Sequence, residues 1–183
     1  VQSTISGFLG LGAKHGYIYA WDAGDKTKLY RSSDSGVTWG YLSTPPLTLG
    51  VSEYLYVMWY GANLYAVNNV SGETCVSADS GATWGASYAG SGIVGFELGA
   101  YLVSVNGSNQ IIRSNDVFLT YTVISTPPIT VFGMIADGTT LYIYNSSYVF
   151  YSSTDGVNFT LVGAPAYSFS PIGITIAAGT LYF

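Results

Sequence analysis

The chain of 183 residues is short of the side chains that most catalytic chemistry needs. It contains one cysteine, Cys75, one histidine, His15, and two arginines, Arg31 and Arg113. A lone cysteine excludes an intrachain disulfide, and Cys75 reads as a small buried hydrophobe in a strand. A lone histidine in a predicted turn leaves no His/Cys metal cluster and only one possible base for a Ser/His/Asp set, so no cofactor and no metal is expected. Charged residues are 8% of the chain, and the net charge of −5 disfavours binding to a phosphate backbone, so nucleic acid is not an expected partner. No apolar run approaches the roughly 20 residues that cross a bilayer. The mean hydropathy of +0.34 is therefore assigned to buried strands, and no membrane insertion is expected. Helical periodicity of useful length is missing as well.

What the chain has instead is 49% hydrophobic residues, 17 Tyr and 23 Gly, a composition suited to short strands and many turns. Its organising stretch is Ser32-Ser33-Asp34-Ser35-Gly36-Val37-Thr38-Trp39, which returns as Ser77-Ala78-Asp79-Ser80-Gly81-Ala82-Thr83-Trp84. Two weaker copies follow, Ser114 to Tyr121, with Phe118 in place of glycine, and Ser152 to Phe159, with its aspartate shifted by one place. Ser and Asp accept hydrogen bonds from N–H groups just ahead, glycine supplies a positive φ, and the aromatic leaves on the next strand, where it is expected to be buried between sheets. The pattern S-x-D-x-G-x-T-W resembles the Asp-box (BNR) hairpin repeat of sialidases, sortilin-type receptors and other β-propellers.

The leading serines stand at 32, 77, 114 and 152, giving periods of 45, 37 and 38 residues, the spacing of propeller blades. Each repeat reads as four strands, a to d, with the box joining c to d. The fold class expected is all-β, a β-propeller of four-stranded antiparallel blades. Its repeats span about 5–51, 52–92, 93–129 and 130–171, and a partial repeat covers 172–183. The a strands are apolar throughout and read as inner strands covered on both faces. Val1–Thr4 resembles the end of a d strand, so the chain has partial blades at both ends. Its ends could pair to close a five-blade ring, but an excerpt of a longer propeller is the preferred reading of this single domain.

Successive turns of an antiparallel blade fall on opposite edges. The boxes and a–b turns share one edge, while the b–c and d–a loops, including the Ser-Thr-Pro-Pro loops at 43–46 and 125–128, share the other. In the families that the chain resembles, ligands meet the edge opposite the boxes. The candidate ligand-binding residues there are Asp22, Asp25, Asn68, Asn69, Glu73, Tyr88, Asn106, Asn109 and Tyr167. Asp34, Asp79 and Asp116 recur at one hairpin position and read as turn residues. A sialidase-like activity needs three arginines, and two are present. Glycoside hydrolysis needs two facing carboxylates, and the spacing of Asp22, Asp25, Glu53 and Glu73 singles out no pair. Four Asn-x-Ser/Thr sequons, at Asn69, Asn106, Asn145 and Asn158, are consistent with the abundance of Asn, Ser and Thr.

The expected function is that of a non-catalytic binding or structural module on a cell surface or a virus (phage) particle. Its partner would be a glycan, a protein receptor or neighbouring subunits of a particle, and its place extracellular or on a virion surface. The alternative is part of a glycoside hydrolase whose catalytic residues lie outside this chain.

Overall fold

The computed structural model describes residues 8–14, 16–22, 25, 28–50, 53, 55–164, 175–177 and 180–182. All described elements are strands; among the described residues no helix is long and apolar enough to cross a membrane. The first blade consists of β1 (Phe8–Lys14), β2 (Tyr17–Asp22), β3 (Leu29–Ser32) and β4 (Gly40–Tyr41). The second has β5 (Leu55–Tyr60), β6 (Asn63–Asn68), β7 (Glu73–Ser77) and β8 (Tyr88–Ala89). The third has β9 (Phe96–Leu98), β10 (Tyr101–Val105), β11 (Ile111–Ser114) and β12 (Thr122–Ser125). The fourth has β13 (Gly133–Ala136), β14 (Leu141–Tyr144), β15 (Phe150–Ser153) and β16 (Thr160–Gly163), and β17 (Thr175–Ala177) pairs with β18 (Thr180–Tyr182). Every sheet is an antiparallel meander in chain order.

The chain divides into two compact units, Val1–Val94 and Gly95–Phe183. Within the first, β1 lies beside β5; within the second, β13 lies beside β9 and β17. The first strands of successive blades are thus neighbours, as inner strands of a β-propeller are. This is the all-β propeller architecture that the repeats predict, with four complete four-stranded blades.

Two details of the strands differ from expectation. The first two d strands are far shorter: Thr38–Ser43 contracts to Gly40–Tyr41, and Thr83–Tyr88 to Tyr88–Ala89. At the start of each, the N–H groups of Thr38 and Thr83 bond to aspartate side chains instead of entering the ladder. The described a strands are also less covered than their apolar sequences imply. Tyr56 of β5 is exposed and β13 is half-buried throughout. Burial concentrates on the b and c strands, which have a neighbour on each side. Tyr19, Leu29, Leu64, Ala66 and Cys75 form the core of the first unit, and Val103, Ile111, Leu141 and Ile143 that of the second. Burial pushes the Cys75 thiol up to about 12, so it stays protonated and unreactive.

The boxes form as expected, by side-chain-to-backbone bonds within a few residues. Ser32 Oγ accepts from Gly36 N at 2.8 Å and donates to Asp34 Oδ1 at 2.7 Å. Asp34 in turn accepts Thr38 N on Oδ1 and Thr38 Oγ1 on Oδ2. Ser77/Asp79/Thr83 and Ser114/Asp116/Thr120 repeat the arrangement. In the fourth box the anchor is Ser153 rather than Ser152. Gly156 N bonds Ser153 Oγ and Asn158 takes the threonine's place on Asp155, so that turn is one residue shorter and its aspartate is not displaced.

The box aromatics are not the deeply buried wedges that were expected. Trp39, Trp84 and Phe159 are half-buried and Tyr121 is exposed. Trp39 donates its indole N–H to Gly36 O of its own box. Trp84 reaches Ser43 O of the preceding blade, while Ser43 Oγ donates back to Ala82 O. Tyr19 Oη and Arg31 Nη1 also donate to Ser80 O, so this box is clasped by its neighbour. In the second unit Ser125 Oγ donates to Gly156 O in the same manner. The first serine of each Ser-Thr-Pro-Pro loop thus reaches a box of the next blade, while the ladder sets Ser125 opposite Ile111, at the b–c end of its own blade as expected.

Acid should unfold the protein through these turns. The Thr38 and Thr83 hydroxyls, with the turn N–H groups, hold Asp34 and Asp79 at about 2. Unfolded aspartate titrates near 3.9, so the stabilisation is complete above that value and is lost as pH falls towards about 2. Urea midpoints should be level from pH 6 to 5 and drop steeply between about pH 4 and 2. Asp79→Ala should flatten that slope. A midpoint unchanged down to pH 2 would contradict this role.

Candidate functional site

The b–c edge of the second blade gathers several predicted residues but leaves them little to offer a ligand. Asn68 ends β6 and is fully buried. Its Nδ2 donates to Thr48 O at 2.8 Å and Glu53 Oε2 at 2.7 Å, and its Oδ1 accepts from Val70 N and Ser71 N. All four hydrogen-bonding positions of the amide are used. Glu73 accepts Ser87 Oγ and Thr48 N. The Ser87 hydroxyl and Thr48 N–H hold Glu73, and the Gly50 N–H and the Asn68 amide hold Glu53, below the usual carboxylate range. A general acid in glycoside hydrolysis needs the opposite shift. Asn69 is half-buried beside this network. Tyr88, in β8, is half-buried, and burial raises its phenol. On the first blade, Asp22 is buried at the end of β2, and Asp25 pairs with Lys28 at 3.2 Å. Tyr167 and His15 lie outside the described residues.

In the second unit Asn106 and Asn145 build matching b–c turns. Asn106 Oδ1 accepts from Ser108 N and Gln110 N, and Asn145 Oδ1 from Ser147 N and Val149 N. Each turn carries a left-handed residue at the same place, Asn109 with φ 57° and Tyr148 with φ 56°. Asn109 faces the d–a connection, donating to Ile129 O at 3.0 Å and accepting Val131 N at 2.8 Å. It thereby fixes Ile129–Phe132, which with Asn145 and Ser146 line an open depression of about 430 Å³.

An aromatic cluster adjoins this depression. Tyr144 stacks on Tyr148 with centroids 5.9 Å apart and planes 20° apart, and Phe132 packs against Tyr144 at 6.2 Å. Phe132 is 67% exposed. Gly133 makes the cluster possible, because a Cβ there would run into the Tyr144 ring. Phe132, Tyr144, Ser146 and Tyr148 are absent from the sequence-derived candidates. The signal that would have found them is the alignment of Asn106-x-x-Asn109 with Asn145-x-x-Tyr148, which sets a tyrosine where its sister turn has asparagine. Arg31 and Arg113 are elsewhere, each over the tyrosine that opens its b strand, Tyr17 at 4.4 Å and Tyr101 at 4.7 Å.

No protein-family description and no curated protein matches this chain. Among solved structures it is similar to "YCF48 bound to D1 peptide", with a TM-score of 0.53 and 14% identity over 88% of this chain and 55% of that one. It is also similar to "Structure of YjhT", with a TM-score of 0.59 and 9% identity over 93% of this chain and 70% of that one. The chain thus spans about half the length of the first of these. Likeness at such identity is a likeness of fold, and the fold is that of a β-propeller.

Proposed function

We propose that this chain is a non-catalytic recognition module of the Asp-box type, displayed on a cell or particle surface, that meets its ligand through the blade edge opposite the boxes. The observation that carries this reading is the contrast between the two edges. At the boxes, serine, aspartate and threonine are spent on the turns. At the b–c edge of the fourth blade, an exposed ring and a stacked tyrosine pair flank an open, polar-rimmed depression. Concave sites of this make, mostly apolar with a few polar groups, are the usual form of a ligand site. The non-catalytic reading is supported by Glu53 and Glu73, which are ionised hydrogen-bond acceptors rather than proton donors. The neighbour YCF48 is bound to a peptide, so this type of fold accommodates a partner in that case.

Glycan and peptide arrays probed with the purified chain, run beside turnover assays on chromogenic glycosides, test the reading. The expected outcome is retention on an array with no glycoside hydrolysed. Turnover, or failure to bind any arrayed ligand, would overturn it.

A further inference from the structure

We infer that the depression on the fourth blade is a subsite for a neutral saccharide, with Phe132 and Tyr148 as stacking rings and Asn145 and Ser146 as hydrogen-bonding groups; this rests on the binding reading above and names its ligand class. Three observations converge on it.

The first is Tyr148. Positive φ is uncommon for any residue but glycine or asparagine, and for a bulky side chain it is a true outlier. The equivalent turn uses asparagine, and the same left-handed step on the second blade uses Gly72 with φ 76°. Folding alone would favour either residue at 148. Phe118 takes the same conformation at a box because its ring is buried, whereas Tyr148 is half-buried and sets its ring against Tyr144, which packs on Phe132 of the depression.

The second is charge. Ile129, Thr130, Val131, Phe132, Asn145 and Ser146 carry none. Both arginines are stacked on tyrosines of other blade positions, and the chain bears a net charge of −5. An anionic sugar or phosphate would find no cation at this site. The amide nitrogen of Asn145 and the exposed Ser146 hydroxyl, in contrast, have no hydrogen-bond partner among the described residues, and suit sugar hydroxyls.

The third is the backbone. A peptide docked by strand addition needs open N–H groups. Those of Val131, Phe132, Ser147, Tyr148 and Val149 are all bonded within the chain. What is left to a ligand is ring faces and small polar groups, which match the C–H faces and hydroxyls of a pyranose. The volume of about 430 Å³ is in the range of small-ligand pockets.

Calorimetric titration of the whole chain with neutral gluco-, manno- and galacto-oligosaccharides, their sialylated or sulfated counterparts and aromatic hexapeptides tests the inference. At least one neutral sugar should bind, and Tyr148→Asn should weaken it tenfold or more with an unchanged or raised melting temperature, since asparagine accepts the left-handed turn. Phe132→Ser, at an exposed position, should weaken the same sugar and provides the check should Tyr148→Asn disturb folding. Binding only of acidic sugars or peptides, lost in these variants, would refute the neutral-saccharide class while leaving the binding edge intact. A neutral sugar bound equally by wild type and both variants would refute the site. No binding to any probe would count against both readings.

Discussion

Replacing Phe118 with glycine should destabilise the protein by about 2–4 kcal/mol, although it restores the glycine of the box pattern. Phe118 has φ 59° and its N–H bonds Ser114 Oγ at 2.9 Å, so it fills the glycine's place in the turn. By conformational preference alone, glycine there would gain about 1–2 kcal/mol. But the Phe118 ring is 1% exposed, and it packs so closely on Gly95 that a Cβ on that glycine would come within 2.8 Å of it. Truncating a buried phenylalanine costs about 3–5 kcal/mol, and glycine's greater freedom in the unfolded chain adds about 0.5–1. The loss exceeds the relief. Urea unfolding followed by far-UV circular dichroism measures the balance, and a stabilised variant would mean that the turn outweighs the core.

Asn68→Ala should cost about 2–4 kcal/mol and Asn106→Ala about 1 kcal/mol, despite their equivalent positions at the ends of b strands. Asn68 is fully buried, and its removal strands Thr48 O, two turn N–H groups and one bond to Glu53 where water reaches poorly. Asn106 is half-buried, and its turn can be resolvated. All four tryptophans, Trp21, Trp39, Trp59 and Trp84, precede residue 95, so their fluorescence reports unfolding of the unit that holds Asn68. Equal and small losses would show that Asn68 is not the brace of its edge. The same reasoning makes Asn68→Ala a test of folding rather than of ligand contact.

The parts legible in the sequence were those written in short-range chemistry. The boxes close through bonds spanning a few residues, so Ser32, Asp34 and Thr38 announced their own turn, and the repeats then gave blade order. The b strands Tyr17–Asp22 and Asn63–Asn68 were readable in full, because turn residues such as Gly16, Gly61 and Gly72 punctuate the chain beside them. The fourth box was misread by one residue because adjacent serines, Ser152 and Ser153, both fit the anchor, and only the bonds to Gly156 and Asp155 distinguish them. Asn68 was legible as a polar residue on the right edge, but its burial is imposed by Thr48 and Glu53 from the preceding connection. Phe118 has its place because Gly95 leaves room for it, a pairing that no local pattern encodes. The aromatic rim was hidden in the same way: Tyr144 requires Gly133 across the strand pair, and Tyr148 requires comparison of two turns.

The central claim, that the boxes are structural and recognition belongs to the opposite edge, is tested most directly by placing one arginine on each. Ser146→Arg fills the rim of the depression from an exposed turn, and Val37→Arg alters a box residue that is 72% exposed. Both should fold as the wild type does. Affinity for the array-selected ligand, measured by calorimetry, should fall at least tenfold in Ser146→Arg and remain unchanged in Val37→Arg. The reverse pattern, with binding lost at Val37 and kept at Ser146, would contradict the account.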